Sequence, residues 1–150
     1  MAPNIRTRLA LTRDRRAFGT FDPRAADDLD RRAHIDSAIA ARHCWVAELS
    51  GHIAGYGVLA KNFFGRDFIE LIYVAEDARR SGVGGALLAA IEQSRHEPQI
   101  FTSTNESNAP MRALLAKHGY APSGRIENLD PADAELVFVK ALKSSGATSR

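Results

Sequence analysis

A glycine-rich turn between Arg79 and Gly85, which reads R-R-S-G-V-G-G, contains the residue types that bind phosphate groups. Its glycines let the backbone approach a ligand closely. The turn leads into a periodic apolar segment, and a helix N-terminus there would offer unpaired N–H groups and the positive end of the helix dipole. Arg79 and Arg80 add positive charge. Taken alone, the turn fits either a phosphate site or a flexible turn with solvated arginines.

Two common nucleotide-binding motifs do not fit this turn. A P-loop requires a lysine followed by serine or threonine, and the residues after Gly84 do not provide them. A dinucleotide-binding G-x-G-x-x-G motif that begins at Gly82 requires glycine at position 87, where the chain has Leu87. Neither of the two common nucleotide-binding motifs is therefore present in this turn.

Glu70 is the second residue whose type and position indicate chemistry. It lies within F-I-E-L-I-Y-V, an otherwise apolar run from Phe68 to Val74, where an unpaired carboxylate is costly to bury. Strand alternation places Glu70 on the same face as Phe68 and Ile72, so its carboxylate must meet a cleft, a partner or water. Such a carboxylate can act as a general base or form a structural ion pair with an arginine.

Hydrophobic periodicity and turn residues predict a mixed α/β chain around these residues. Pro98 ends the helix that follows the glycine-rich turn, Ser107 or Asn108 can cap the next helix, and Gly119 ends it. The predicted strands are 5–12, 44–49, 52–59, 68–74, 99–104, 120–126 and 135–142. The helical segments are 23–42, as one long or two short helices, 83–97 and 108–118.

Length and composition predict one folded domain over residues 1–142. The chain has 150 residues, of which 45% are hydrophobic, and a net charge of +2, so a sizeable core can form. The small polar residues at 143–150 predict a flexible C-terminal tail. Charges are interspersed along the chain without a basic stripe, which argues against a nucleic-acid partner.

Metal and membrane functions find no support in the residue pattern. Cys44 is the single cysteine, so an internal disulfide and a cysteine-based zinc site are excluded, and the five histidines lack a metal-ligand spacing. We therefore expect no metal. No apolar run approaches the ~18 residues that span a membrane. Because arginines interrupt the N-terminal segment where a signal peptide is apolar, a cytoplasmic location is expected.

Two motifs in this order resemble those of the GNAT N-acetyltransferases. R-R-S-G-V-G at residues 79–84 resembles the family's [QR]-x-x-G-x-[GA] pyrophosphate loop, and it follows a strand as the family's loop does. Asn108 followed by A-L-L-A-K-H-G-Y at residues 113–120 resembles the family's N-x-x-A-x-x-L-Y-x-K-x-G-[FY] signature. The hairpin W-V-A-E-L-S-G-H-I-A-G-Y-G-V-L at residues 45–59 is also similar. The resemblance implies a mixed, mostly antiparallel central sheet of about seven strands flanked by helices.

The resemblance implies acetyl-CoA as the acetyl donor, bound between the strand at 68–74 and the strand at 99–104. Backbone groups near Ile72, Tyr73 and Val74 would pair with the pantetheine arm, and Asn108 would contact that arm from the start of its helix. Asn108 fits a simple helix cap as well. Glu70 would act as the base for direct acetyl transfer to an amine, with a strand amide near Ile72 stabilising the oxyanion. The expected pyrophosphate-binding residues are Arg79, Arg80, Ser81, Gly82, Val83, Gly84 and Gly85.

The chain departs from the family at Leu115. The usual tyrosine, which protonates the leaving thiolate, would fall there, and leucine cannot do so. Tyr73 and Tyr120 are conceivable substitutes, although each also fits a core aromatic with a polar tip. An alternative function follows from this departure, namely a non-catalytic module of the same fold that binds or senses acyl-CoA.

The acceptor is less defined than the donor. By the resemblance it is a small-molecule or peptide amine, and a homodimer is compatible with the family. The acidic loop at residues 127–135 would suit a cationic amine, but its residues also fit a solvated turn. Ser103, Thr104 and Asn105 end a strand and could either hydrogen-bond an acceptor or cap the following helix.

Overall fold

The structure, a computed structural model, describes residues 4–142, and the predicted tail at 143–150 lies outside them. Seven strands, five α-helices and two short 3-10 helices follow one another along the described chain. No helix among these residues is long and apolar enough to cross a membrane. The elements are β1 Ile5–Leu9, α1 Arg15–Phe18, α2 Pro23–Asp27, α3 Leu29–Ala40, β2 Cys44–Leu49, β3 His52–Phe63, β4 Arg66–Val74, α4 Val83–Gln93, β5 Gln99–Asn105, α5 Ala109–Lys117, β6 Ala121–Asp130 and β7 Asp133–Ala141.

The strands form one seven-stranded sheet in the order β1-β2-β3-β4-β5-β7-β6. The pairs β1–β2, β2–β3, β5–β7 and β6–β7 are antiparallel. The predicted fold class, a mixed and mostly antiparallel sheet of about seven strands with flanking helices, is confirmed. The chain divides into two compact units, and the prediction that residues 1–142 form a single domain stays a prediction.

The first unit consists of the chain up to Ala60 together with Ile69–Ser94. Its core joins α1, α2 and α3 to strands β2 and β3, and Phe18 stacks on Tyr56 with ring centroids 4.2 Å apart. The Tyr56 hydroxyl donates a hydrogen bond to buried Asp22, whose Oδ2 also accepts from Arg31 at 2.9 Å. Burial, with the negative charge of Asp22, raises the pKa of Tyr56. This network ties the helices to β3.

Cys44 begins β2 in the same core. Its side chain is buried, and its carbonyl accepts a hydrogen bond from the backbone N–H of Ala10 at 2.8 Å. Burial raises the pKa of the Cys44 thiol to about 12, with a further contribution from the charge of Asp14. The thiol is therefore uncharged at neutral pH.

Two glycines of β3 allow α4 and β4 to approach that strand closely. A Cβ at Gly55 would lie 2.9 Å from both the Tyr73 carbonyl oxygen and Val83 Cγ1, the first residue of α4. A Cβ at Gly57 would lie 2.9 Å from Ile91 Cδ1. Real Cβ contacts are longer than this, so larger residues at either position would displace α4.

The second unit consists of Lys61–Phe68 and the chain from Arg95 onwards. Strand β7 lies between β5 and β6, and Ile100, Leu115 and Tyr120 are buried in this unit. All ten residues of β6 are exposed. This strand is one edge of the sheet and pairs only with β7.

Residues 23–42, predicted as one long or two short helices, form two helices. Asp22 accepts a hydrogen bond from the backbone N–H of Arg24 and caps α2, with Pro23 in the first turn. Asp28 then accepts from the backbone N–H groups of Asp30 and Arg31 and caps α3. An aspartate that bonds the backbone in this way favours a new helix start over continuation.

Two strand pairs are joined by tight hairpins that extend beyond the predicted strand bounds. Strand β3 continues to Phe63, and Phe64 and Gly65, both with positive φ (54° and 76°), turn the chain into β4. Positive φ at both turn residues matches the twist of a two-residue hairpin. The acidic segment at 127–133 likewise continues β6 to Asp130, and the chain reverses before Asp133.

Candidate functional site

The glycine-rich turn leads directly into the N-terminus of α4. Gly82 precedes the helix in the left-handed region, at φ 98°, which glycine adopts without strain. The first helical hydrogen bond runs from the N–H of Ala86 to the carbonyl of Gly82 at 3.0 Å. The N–H groups of Val83, Gly84 and Gly85 therefore precede the first intrahelical bond. Val83, Gly84 and Gly85 are buried, and the two glycines carry no side chain that would stand between these N–H groups and an anion.

The two arginines before α4 have different surroundings. Arg79 Nε donates to the Val74 carbonyl at 3.2 Å, and its guanidinium lies 5.9 Å from the centroid of the Tyr73 ring, so Arg79 braces the end of β4. The Ser81 hydroxyl donates to a backbone carbonyl three residues earlier. Arg80 is exposed, has φ 69°, and forms no side-chain bond or ion pair within residues 4–142. A non-glycine residue at positive φ is strained, and strain of this kind is concentrated at functional sites, so Arg80 is a candidate binding residue.

Glu70 on β4 contacts His34 on α3. The distance from Glu70 Oε1 to His34 Nε2 is 2.7 Å, and the Glu70 side chain keeps 20% of its exposure. The carboxylate is thus half-buried with a solvent-accessible partner. The sequence left open an ion pair with an arginine, and the structure shows a contact with a histidine. His34 was not predicted, because it lies 36 residues away on an exposed helix face.

Strand alternation predicted that Glu70 and Ile72 share one face of β4, but the two side chains contact different helices. Glu70 contacts α3, whereas Ile72 Cδ1 lies beside Ile91 of α4, within 3.0 Å of a Cβ built on Gly57. Tyr73 packs in the aromatic cluster of the first unit, 6.4 Å from the ring of Tyr56. Tyr73 therefore has the packing role that the sequence allowed it.

Asn108 and Leu115 belong to the second unit. The Asn108 side-chain oxygen accepts from the backbone N–H of Met111 at 3.2 Å, so Asn108 is the N-cap of α5. Leu115 is 1% exposed and packs in the core. Tyr120 is also buried, with Lys140 Nζ 5.5 Å from its ring centroid. The cap leaves the Asn108 amide NH₂ available as a donor.

The acidic residues around the β6–β7 turn accept hydrogen bonds from other side chains of the second unit. Ser103 Oγ donates to Glu135 at 2.7 Å, Asn105 Nδ2 donates to Asp130 at 2.9 Å, and the Ser107 hydroxyl donates to Asp133 at 2.6 Å. Ser103 and Asn105 thus bind these carboxylates instead of capping α5. The carboxylates brace this hairpin, as expected of turn residues.

The first unit therefore combines two chemical capabilities. Backbone N–H groups at the start of α4 and the cation of Arg80 fit a phosphate-bearing ligand. A half-buried carboxylate with a histidine partner fits proton transfer. No group of three or more potential metal ligands is found in the described part of the chain.

Comparisons with solved structures place this arrangement among acetyltransferases. A GNAT family acetyltransferase from Bacillus cereus ATCC 10987 shares 29% identity, with a TM-score of 0.87 over 94% of this chain and 99% of that one. A protein from Bacillus anthracis str. Ames, assigned as a streptothricin acetyltransferase and solved with acetyl coenzyme A, shares 26% identity, with a TM-score of 0.61 over 67% of this chain and 62% of that one.

A third structure shares the fold. The ribosomal-protein-S18-alanine N-acetyltransferase from Escherichia coli has a TM-score of 0.78 and 18% identity over 98% of this chain and 99% of that one. No curated protein matches the sequence significantly. The sequence model described as "Acetyltransferase (GNAT) family" matches residues 10–120, which include both β4 and the glycine-rich turn. The chain belongs to the GNAT acetyltransferase family.

Proposed function

We propose that the protein is an acetyl-CoA-dependent N-acetyltransferase that moves the acetyl group directly to a primary amine. The observation that carries this proposal is one strand–turn–helix segment with a carboxylate, Glu70, on the strand and free N–H groups at the start of α4. The carboxylate can accept a proton from an amine, and the N–H groups can bind a pyrophosphate. The family membership supports acetyl-CoA as the donor.

The turn and α4 hold the donor in this proposal. The N–H groups of Val83, Gly84 and Gly85 donate to pyrophosphate oxygens, and Arg80 supplies a positive charge. Backbone groups of Ile72, Tyr73 and Val74 pair with the pantetheine arm. Oriented binding of both reactants supplies much of the acceleration. Acetyl-CoA itself supplies an activated thioester carbonyl.

Glu70 removes the amine proton in this proposal, directly or through water. An alkyl ammonium of pKa ~10.4 must lose its proton near pH 7, at about 4.6 kcal/mol. The amine nitrogen then forms a bond to the acetyl carbon while the bond from that carbon to sulfur breaks, and the sulfur takes up a proton. A thiol of pKa ~8.5 lies only about 2 kcal/mol from its thiolate at that pH. The base therefore contributes more than an acid would.

One observation favours the alternative of a non-catalytic acyl-CoA-binding module. Leu115 occupies the position of the family's tyrosine acid and is buried, so it offers no proton to a leaving thiolate. The two functions share the donor site and differ only in turnover.

The acceptor is proposed as a class. Structural relatives are described as acting on streptothricin and on a ribosomal protein, which supports a small-molecule or peptide amine as the acceptor. A cytoplasmic location and a homodimer stay predictions.

Calorimetry with acetyl-CoA tests the proposal first. We expect saturable binding at one site per chain, followed by release of free CoA thiol in the presence of at least one amine from a panel of polyamines, aminoglycosides and peptides with free N-termini. Binding without release for any amine would favour the sensing module. Absence of binding would contradict both functions.

We expect Arg80 to bind the ligand, although its left-handed backbone conformation is strained. Replacing it with glycine removes a charge-assisted hydrogen bond, worth about 1.5–3 kcal/mol, and so weakens acetyl-CoA binding by at least ~10-fold. It also relieves the left-handed backbone. Arg42→Gly is the matched control, because Arg42 is an exposed arginine with φ 63°. Both variants should melt within a few degrees of the natural protein, and only the change at position 80 should alter the calorimetric Kd.

Asn108 can be tested for a role beyond capping. Asn108→Ser keeps an N-cap acceptor but lacks the amide donor, so we expect stability within ~0.5 kcal/mol of the natural protein and ~5-fold to 10-fold weaker acetyl-CoA binding. Asn108→Ala should lose about 1 kcal/mol of stability in addition. Urea unfolding and calorimetry measure the two effects separately. Full affinity in the serine variant would leave Asn108 with the cap alone.

A further inference from the structure

A cavity of about 710 Å³ in the first unit is lined by four arginines. Arg13, Arg15 and Arg16 come from the segment that ends in α1, and Arg32 comes from α3. The remaining lining residues are small, namely Thr12, Gly19, Thr20, Ala25 and Ala26. The volume falls within the roughly 300–1,000 Å³ of small-molecule sites. None of its lining residues belongs to the glycine-rich turn or to β4.

Four aspartates of this segment form ion pairs with arginines. No aspartate or glutamate of residues 4–142 lines the cavity. Asp36 pairs with Arg15, the one cavity arginine with an ion pair. Three other aspartates bind arginines outside the cavity, in the pairs Asp14 with Arg8, Asp22 with Arg31 and Asp28 with Arg24.

The remaining cavity arginines have no counter-ion in the described chain. Arg16 and Arg32 form no ion pair or hydrogen bond there, and Arg13 interacts only through space with Asp14, which Arg8 already binds. Three like charges around one cavity repel each other and lower the free energy of a bound anion. Guanidinium forks match the paired oxygens of phosphate and carboxylate groups.

We propose that this arginine cavity, defined by Arg13, Arg15, Arg16 and Arg32, binds a compact small molecule that carries two or more oxyanion groups, either phosphates or carboxylates. The site is separate from the acetyl-CoA residues proposed above. It stands whether or not the protein transfers acetyl groups.

Calorimetric titrations of the full chain with inorganic pyrophosphate and with citrate test this site. We expect 1:1 binding of at least one of them, weakened by added salt. Stronger binding of pyrophosphate assigns the site to phosphate ligands, and stronger binding of citrate assigns it to carboxylate ligands. Pyrophosphate could also occupy the turn before α4, so each titration is repeated with Gly84→Asp, in which binding at the arginine cavity should persist.

The double variant Arg16→Ala/Arg32→Ala should bind the same anion at least 10-fold more weakly. Arg24→Ala is the matched control, because Arg24 lies in the same segment but outside the cavity and pairs with Asp28. Hydrogen exchange of the natural protein should show protection over residues 12–20 when the anion is added, which keeps the test independent of how the double variant folds. Absence of binding by either anion, loss of all binding in Gly84→Asp, or equal weakening in Arg24→Ala would overturn the proposal.

Discussion

Replacing Gly84 with aspartate is expected to abolish acetyl-CoA binding while leaving the protein folded. Gly84 is the second residue of α4, and its N–H precedes the first helical hydrogen bond. A carboxylate there would face the pyrophosphate. Two such charges about 4 Å apart repel by roughly 4 kcal/mol at an effective dielectric constant near 20, so the affinity should fall by ~100-fold or more. An acidic residue in the first turn favours the helix itself.

Gly84→Asn is the matched control for this variant. Asparagine has nearly the size of aspartate without its charge, so it separates electrostatic repulsion from crowding at a buried position. We expect the asparagine variant to retain more affinity than the aspartate variant, as measured by calorimetry, with melting temperatures recorded for both. Unchanged affinity in Gly84→Asp would place the pyrophosphate elsewhere and remove the main support for the donor site.

Glu70→Gln is expected to lower the rate of acetyl transfer by ~100-fold or more while leaving acetyl-CoA affinity unchanged. A positioned base contributes roughly 10²-fold to 10⁴-fold, and glutamine keeps the shape of glutamate without its basicity. Glu76→Gln is the control, because Glu76 is an exposed glutamate just after the same strand. Single-turnover measurement of CoA release, with a saturating amine identified in the panel, reports the chemical step. A full rate in Glu70→Gln would exclude the base role.

His34 gives the same experiment a second readout. Its contact with Glu70 makes it a positioning residue, so His34→Ala should lower the rate by less, about 10-fold, and alter its pH profile. His34→Gln retains a donor that can reach Glu70, and should recover part of the loss. If His34 serves only to stabilise α3, both variants should change the melting temperature and leave the rate unchanged.

Local pattern predicted most of the fold, and the features it missed are local ones that hydrophobic periodicity does not detect. Strand β2 was predicted with its observed bounds, Cys44–Leu49, because a compact apolar run is followed by a Ser-Gly turn. The division of the helices at Asp28 follows from side-chain bonds to backbone N–H groups, which periodicity does not detect. The β3–β4 hairpin turns at Phe64 and Gly65 instead of the Asn-Gly or Asp-Gly pair typical of such turns.

The candidate site was likewise predictable from the sequence only in part. The glycine-rich turn is contiguous, so its residue types and spacing identified it. Glu70 stood out because a charged residue within an apolar strand requires an explanation. The partner of Glu70 was not identifiable from the sequence, because His34 reaches the carboxylate only when α3 packs near β4. The arginine cavity also escaped detection, since it depends on which aspartates pair elsewhere.

The reactivity of the buried thiol at the start of β2 can be used to measure how often the core of the protein opens. Cys44 is the single cysteine, and a pKa of about 12 leaves roughly one thiolate in ten thousand at pH 8. Because only the thiolate reacts, and only once it is exposed, an alkylating reagent should label the chain mainly through transient opening of the core. Labelling rates with and without each ligand would then report site occupancy as a kinetic protection factor, with no introduced dye or tag.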